Sequence, residues 1–109
     1  MLLATQHNAR LHLLASIAVV LFGFLFQISQ VEWIALVLSM GLVASAEALN
    51  TAIERLGDAI TRETHPLIRD AKDLAAGGVL LASLAALVVG LIVFVPYLCA
   101  LFVQSGVAA

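Results

Sequence analysis

Glu47, Asn50, Glu54 and Asp58 stand at offsets of 0, 3, 7 and 11. At about 100° per residue a helix gathers these four positions within an arc of about 80°. One face would then carry two glutamates, an amide and an aspartate, while Leu49, Ile53, Leu56 and Ile60 keep the flanks apolar. A soluble amphipathic helix spreads its charges over a broad solvated face; this stripe is narrow and acidic. A carboxylate held away from water is suited to accept a proton as a general base. One at a water boundary stays ionised and can hold Mg²⁺, which takes oxygen ligands and commonly uses one or two carboxylates together with phosphates. Glu47 and Glu54 are about 10 Å apart along such a helix, so they divide these two roles rather than share an ion.

The elements that must position these residues belong to a membrane. The chain has 109 residues, 63% of them hydrophobic and 11% charged, with a mean hydropathy of +1.13. Soluble domains carry about 45–50% apolar and about 25% charged residues, and so short a chain cannot hide the excess in its own core. A net charge of −2 leaves no basic field for nucleic acid. Arg10 and Glu32 apart, every charged residue lies between Glu47 and Asp73. A span needs about 20 mostly apolar residues, and the hydropathy pattern predicts three, near 11–29, 32–60 and 72–96. The fold class is therefore an all-α membrane protein with three transmembrane helices, the second extending into the cytoplasm, organised as one domain over residues 1–109. Gln27 to Glu32 reads as a short turn, Trp33 as an interfacial anchor, and Pro96-Tyr97 as an interfacial kink and anchor. His65-Pro66 marks the break before the third helix.

Arg10 precedes the first span, and Arg55, Arg62, Arg69 and Lys72 flank the second connection, whereas the first turn and the tail have no basic residue. The positive-inside rule puts the N-terminus and the 58–73 connection in the cytoplasm and the C-terminus outside. With Trp33 at the outer interface, Glu47 lies about 21 Å along the helix at about 1.5 Å per residue, inside a hydrocarbon core about 30 Å thick. Asn50 follows one turn nearer the cytoplasm, Glu54 sits at the boundary and Asp58 beyond it. Ionisable residues within a span mark function by default. The bland alternative is polar glue between helices.

The connection ends in Arg69-Asp70-Ala71-Lys72-Asp73, followed by Leu74-Ala75-Ala76-Gly77-Gly78. This reads as a lysine at a helix N-terminus, where free N–H groups and the dipole favour anions, with Asp73 as an N-cap in the plainer reading. Cys99, alone in an apolar run, reads as inert packing, and His7, His12 and His65 lack zinc-ligand spacing.

Glu47-Ala48-Leu49-Asn50-Thr51-Ala52-Ile53-Glu54, Asp58, His65-Pro66 and Ala71-Lys72-Asp73-Leu74-Ala75-Ala76-Gly77 closely resemble the signature of the small prokaryotic diacylglycerol kinases, a family that includes undecaprenol kinases. The resemblance covers roughly residues 7–95. It implies a homotrimeric lipid kinase of the bacterial inner membrane with three spans per subunit and active sites shared between subunits. The reaction it implies is transfer of the ATP γ-phosphate, with Mg²⁺, to the primary hydroxyl of a membrane lipid, diacylglycerol or undecaprenol. On this likeness Glu47 matches the catalytic base and Asn50 its polar neighbour. Glu54 matches the metal ligand, Lys72, Asp73, Glu63 and His65 match nucleotide contacts, and Asp58 and Arg10 are supporting residues.

Two departures stand out. The family has an amphipathic surface helix before the first span, and here only nine residues precede Arg10, so that helix reads as short or missing. The family's Glu-x-x-Phe-Arg element is Gln6-His7-Asn8-Ala9-Arg10. Gln6 thus occupies the place of a second metal carboxylate, and an amide oxygen is a poorer Mg²⁺ ligand. Two rival readings are a proton- or cation-coupled transporter built on Glu47 and a non-catalytic membrane assembly subunit. The transporter leaves Glu54, Asp58 and Lys72-Asp73 unexplained.

Overall fold

The structure is a computed structural model; it describes residues 2–108 and, within them, the side chains of residues 10–104 and 106. Three helices account for almost all of it: α1 (Leu2–Phe26), α2 (Gln30–Ile60) and α3 (Pro66–Ala108), with no strand among the described residues. The all-helical expectation holds. α2 and α3, the latter over Pro66–Gln104, are each long and apolar enough to cross a membrane; the apolar part of α1, Arg10–Phe26, is shorter.

The helix limits differ from those expected. α1 begins at Leu2 rather than near residue 11, and α3 begins at Pro66 rather than 72 and continues through Pro96 to Ala108. Hydropathy finds the apolar part of a helix, not its ends, and both helices carry polar turns before their apolar stretch. Proline suits the first helical position, where its missing N–H is not needed, which is why Pro66 opens α3. The non-helical connection, expected at 61–71 between helices near 32–60 and 72–96, is residues 61–65. Cys99, expected to be packed, is exposed.

The chain divides into two compact units. One takes in α1, α2 as far as Val37 and α3 from Leu87; the other runs from Leu38 to Ala86. In the first unit the turn between α1 and α2 is only residues 27–29. Gln27 takes a left-handed φ of 53°. Its N–H donates to the Phe24 carbonyl at 3.3 Å, and the Ile28 N–H donates to the Gly23 carbonyl at 3.2 Å. That pair of bonds is the Schellman closure of a helix C-terminus. Ser29 and Glu32 then cap α2 reciprocally. The Ser29 N–H donates to Glu32 Oε1 at 3.0 Å, and the Glu32 N–H donates to Ser29 Oγ at 3.2 Å. The Tyr97 hydroxyl of α3 donates to the same Glu32 oxygen at 2.5 Å. Glu32, the acid outside the charged island, thus ties the start of α2 to α3.

Ile28, Leu36 and Val93 form the buried core of this unit, with Val19, Phe26, Trp33, Val89, Phe94 and Tyr97 packed against it. Phe26 stacks on Tyr97 at 5.6 Å between ring centroids and meets Phe94 at 6.3 Å. Trp33, expected as an interfacial anchor, also lies over Gly23. A Cβ on Gly23 would sit 2.6 Å from the indole Cη2. Gly23→Ala should therefore lower stability by about 1–3 kcal/mol, the usual cost of overpacking. Unfolding of purified protein in micelles checks this, and an unchanged midpoint would remove the indole seat from the account.

Candidate functional site

The second unit, Leu38–Ala86, holds the end of α2, the connection and the first half of α3. Glu47, Asn50, Glu54, Asp58, Glu63, His65, Lys72 and Asp73 all belong to it. Gln6 and Arg10 belong to α1 and to the other unit; the Gln6 side chain lies outside the described residues, and Arg10 is exposed.

α2 is unbroken from Gln30 to Ile60, so the offsets of 0, 3, 7 and 11 do place the four polar residues on one face. All four are half-buried, whereas the apolar Leu49, Leu56 and Ile60 are largely exposed. This inverts the pattern of a water-facing helix. Asn50 Oδ1 is buried and accepts no hydrogen bond among the described residues. A buried acceptor left unpaired costs about 1–3 kcal/mol.

At the end of α2 the Lys72 Nζ donates to Asp58 Oδ1 at 2.7 Å, an ion pair in which each side chain is about a third exposed, 29% and 31%. Such a pair adds little to stability; its effect is to fix where the ammonium points. Gly57 is buried beside it. A Cβ there would lie 2.8 Å from Ile68 Cγ2 and 3.0 Å from Lys72 Cε, so the lysine stem crosses α2 at a residue without a side chain. Sequence reasoning passed over Gly57. A glycine inside a helix costs about 1 kcal/mol against alanine and hints at close approach, but only the fold shows what approaches.

The connection corrects the reading of Lys72 at a helix N-terminus. The cap is His65, whose Nδ1 accepts from the Leu67 N–H at 3.2 Å and whose carbonyl accepts from the Arg69 N–H at 2.9 Å. Pro66 has no N–H to offer. Most first-turn donors are thus taken or missing, and Lys72 and Asp73 lie in the second turn, where the dipole effect has faded. Asp73 is not an N-cap. Whatever anion Lys72 attracts it attracts by its own charge. Because Nδ1 of His65 accepts, the ring proton is on Nε2, leaving that exposed edge as a donor. The Glu63 N–H donates to Thr61 Oγ1 at 3.1 Å, and Glu63 itself is exposed.

No three His, Cys, Asp or Glu side chains converge to hold a metal among the described residues. The Glu54 carboxylate has no ion-pair or hydrogen-bond partner among them either. One free, half-buried carboxylate suits a cation that takes the rest of its shell from phosphates and water.

The residues from 1 to 94 match the family model for prokaryotic diacylglycerol kinase. The chain is 43% identical over 94 residues to an undecaprenol kinase of Bacillus subtilis (strain 168), an alignment covering 86% of this chain and 76% of that protein. It is 40% identical over 101 residues to a diacylglycerol kinase of Synechocystis sp. (strain ATCC 27184 / PCC 6803 / Kazusa), covering 92% of this chain and 58% of the relative. The transporter and assembly-subunit readings find no support in these likenesses. A polar column on an otherwise apolar helix, an acid–lysine pair at its foot and a match over most of the length lead to one conclusion: the chain belongs to the prokaryotic diacylglycerol kinase family, and its activity class is that of a lipid kinase.

Proposed function

We propose that the chain is an integral-membrane kinase that transfers the γ-phosphate of ATP to the primary hydroxyl of a membrane lipid, diacylglycerol or undecaprenol. The observation that carries this is the column Glu47-Asn50-Glu54-Asp58, half-buried on α2 and ending at the Lys72 ammonium. The lipid hydroxyl donates to Glu47, with Asn50 as the polar neighbour of that carboxylate, and Glu47 takes its proton as the oxygen attacks the γ-phosphorus. The new O–P bond forms as the bond to the bridging β,γ-oxygen breaks, and ADP leaves. Lys72 holds the phosphates by charge, with Asp73, Glu63 and the Nε2 edge of His65 as further nucleotide contacts. Mg²⁺ held by Glu54 together with the phosphates would neutralise charge on the transferring group. Such a transfer depends chiefly on positioning and electrostatics, so few side chains suffice.

Three spans, with the N-terminus and the 61–65 connection cytoplasmic, complete the reading. The basic residues around that connection and their lack between α1 and α2 support it. A homotrimer with sites shared between subunits is supported by membership of the family and by the polar column, half-buried in one chain, which needs protein or water rather than lipid beside it. The test is transfer of label from [γ-³²P]ATP in mixed micelles, with each lipid supplied separately. Labelled phospholipid from either acceptor is expected; lipid-independent ATP hydrolysis alone would overturn the proposal.

A further inference from the structure

Among the groups brought together at the foot of α2, Gly57 and Asp58 have no part in the transfer as described, yet both lie against Lys72. The lysine lies in the second turn of α3, opposite the last turn of α2. Its Cε would be 3.0 Å from a Cβ on Gly57, and its Nζ is 2.7 Å from Asp58 Oδ1. Gly57 is buried, whereas both charged ends of the pair are partly open to water. The stem is therefore fixed by packing on bare helix backbone. The head is held by a single hydrogen bond, which leaves two N–H donors of the ammonium for another anion.

We infer that Gly57 and Asp58 are positioning residues that form a seat for Lys72: the glycine groove sets the direction of the stem, and the Asp58 carboxylate keeps one N–H of the ammonium while the others meet the polyphosphate of ATP. This rests on the reading of Lys72 as a phosphate contact. An ammonium has three donors, so the bond to Asp58 persists beside charge-assisted bonds to phosphate. A lysine left free samples many rotamers, and the seat confines it to the arrangement in which it meets the charge that develops during transfer. Because Asp58 repels phosphate as well as holding Lys72, its removal should not weaken nucleotide binding. It should instead leave the ammonium poorly placed as charge develops.

The experiment is a double-substitution cycle on full-length protein in micelles, with MgATP and whichever of the two lipids it phosphorylates. Asp58→Asn preserves shape; Gly57→Ala places a Cβ 2.8 Å from Ile68 Cγ2 as it obstructs the groove, so its unfolding midpoint is measured beside its turnover, and Asp58→Asn carries the test where Gly57→Ala fails to fold. Each is expected to lower kcat about 10-fold to 100-fold, the scale of a misplacement of about 1 Å, while the KM for ATP stays within about threefold of the parent. The double variant should match Asp58→Asn alone, because both changes remove one arrangement. Asp58→Glu should recover most of the lost kcat. Independent, multiplying effects, or a raised KM at unchanged kcat, would overturn the seat. Lys72→Met separates the two levels. If it is inactive while Asp58→Asn and Gly57→Ala turn over normally, the seat falls and the phosphate role stands. If Lys72→Met itself turns over normally, the phosphate role falls and the seat with it.

Discussion

Glu47→Gln should lower the rate of lipid phosphorylation by about 10²–10⁴-fold, the usual contribution of a positioned general base, with little change in ATP affinity. The amide keeps the shape of the acid and its hydrogen-bonding reach, so α2 and the half-buried column stay as they are. What goes is the acceptor for the hydroxyl proton. A lipid alcohol is a poor nucleophile while it keeps that proton, so the loss falls on kcat. Nucleotide contacts are assigned to residues beyond the Asp58 end of the column, from Glu63 to Asp73, two turns or more along the chain from Glu47. Binding of an ATP analogue measured beside turnover separates the two effects. Near-normal turnover of Glu47→Gln would remove the base assignment; loss of nucleotide binding in step with turnover would show a damaged site rather than a missing base.

The column was legible in the residue spacing because it asks so little of the fold. Four offsets near multiples of a helical turn, in a segment with no proline, share a face wherever the helix lies, and α2 is unbroken across them. The same reasoning misplaced Lys72. The apolar run that begins at Leu74 puts the expected helix start near residue 72, but helix starts are decided by which donors find partners. Here His65 and Pro66 settle that six residues earlier. The contacts of Gly57 with Ile68 and Lys72, of Asp58 with Lys72, and of Glu32 with Tyr97 join residues 11, 15, 14 and 65 positions apart in the chain. No local periodicity encodes such pairs. They follow from how the helices cross, so the chemistry of the site could be read from residue types while the aim of its one lysine could not.

Glu54→Gln should have the other large effect, and its signature is dependence on Mg²⁺ rather than on lipid. Glu54 is the one acid of the α2 column well placed for this: Asp58 is committed to Lys72, and Glu47 stands about 10 Å away along the helix. The substitution keeps an oxygen at nearly the same position but removes its charge, and a hard cation binds a neutral amide oxygen more weakly than a carboxylate. Groups that merely orient a metal ligand are worth about 10–100-fold in metal affinity, so loss of the ligand's charge should raise the Mg²⁺ concentration for half-maximal rate by at least about tenfold. Excess Mg²⁺ should then restore part of the turnover, because the phosphates of ATP supply the remaining ligands. Glu54→Asp, which keeps the charge on a shorter arm, should fall between the two. A titration of rate against Mg²⁺ at fixed ATP and saturating lipid decides it. If Glu54→Gln loses activity at every Mg²⁺ concentration with an unchanged midpoint, its carboxylate serves the reacting groups and not the ion, and the division of labour between Glu47 and Glu54 has to be redrawn.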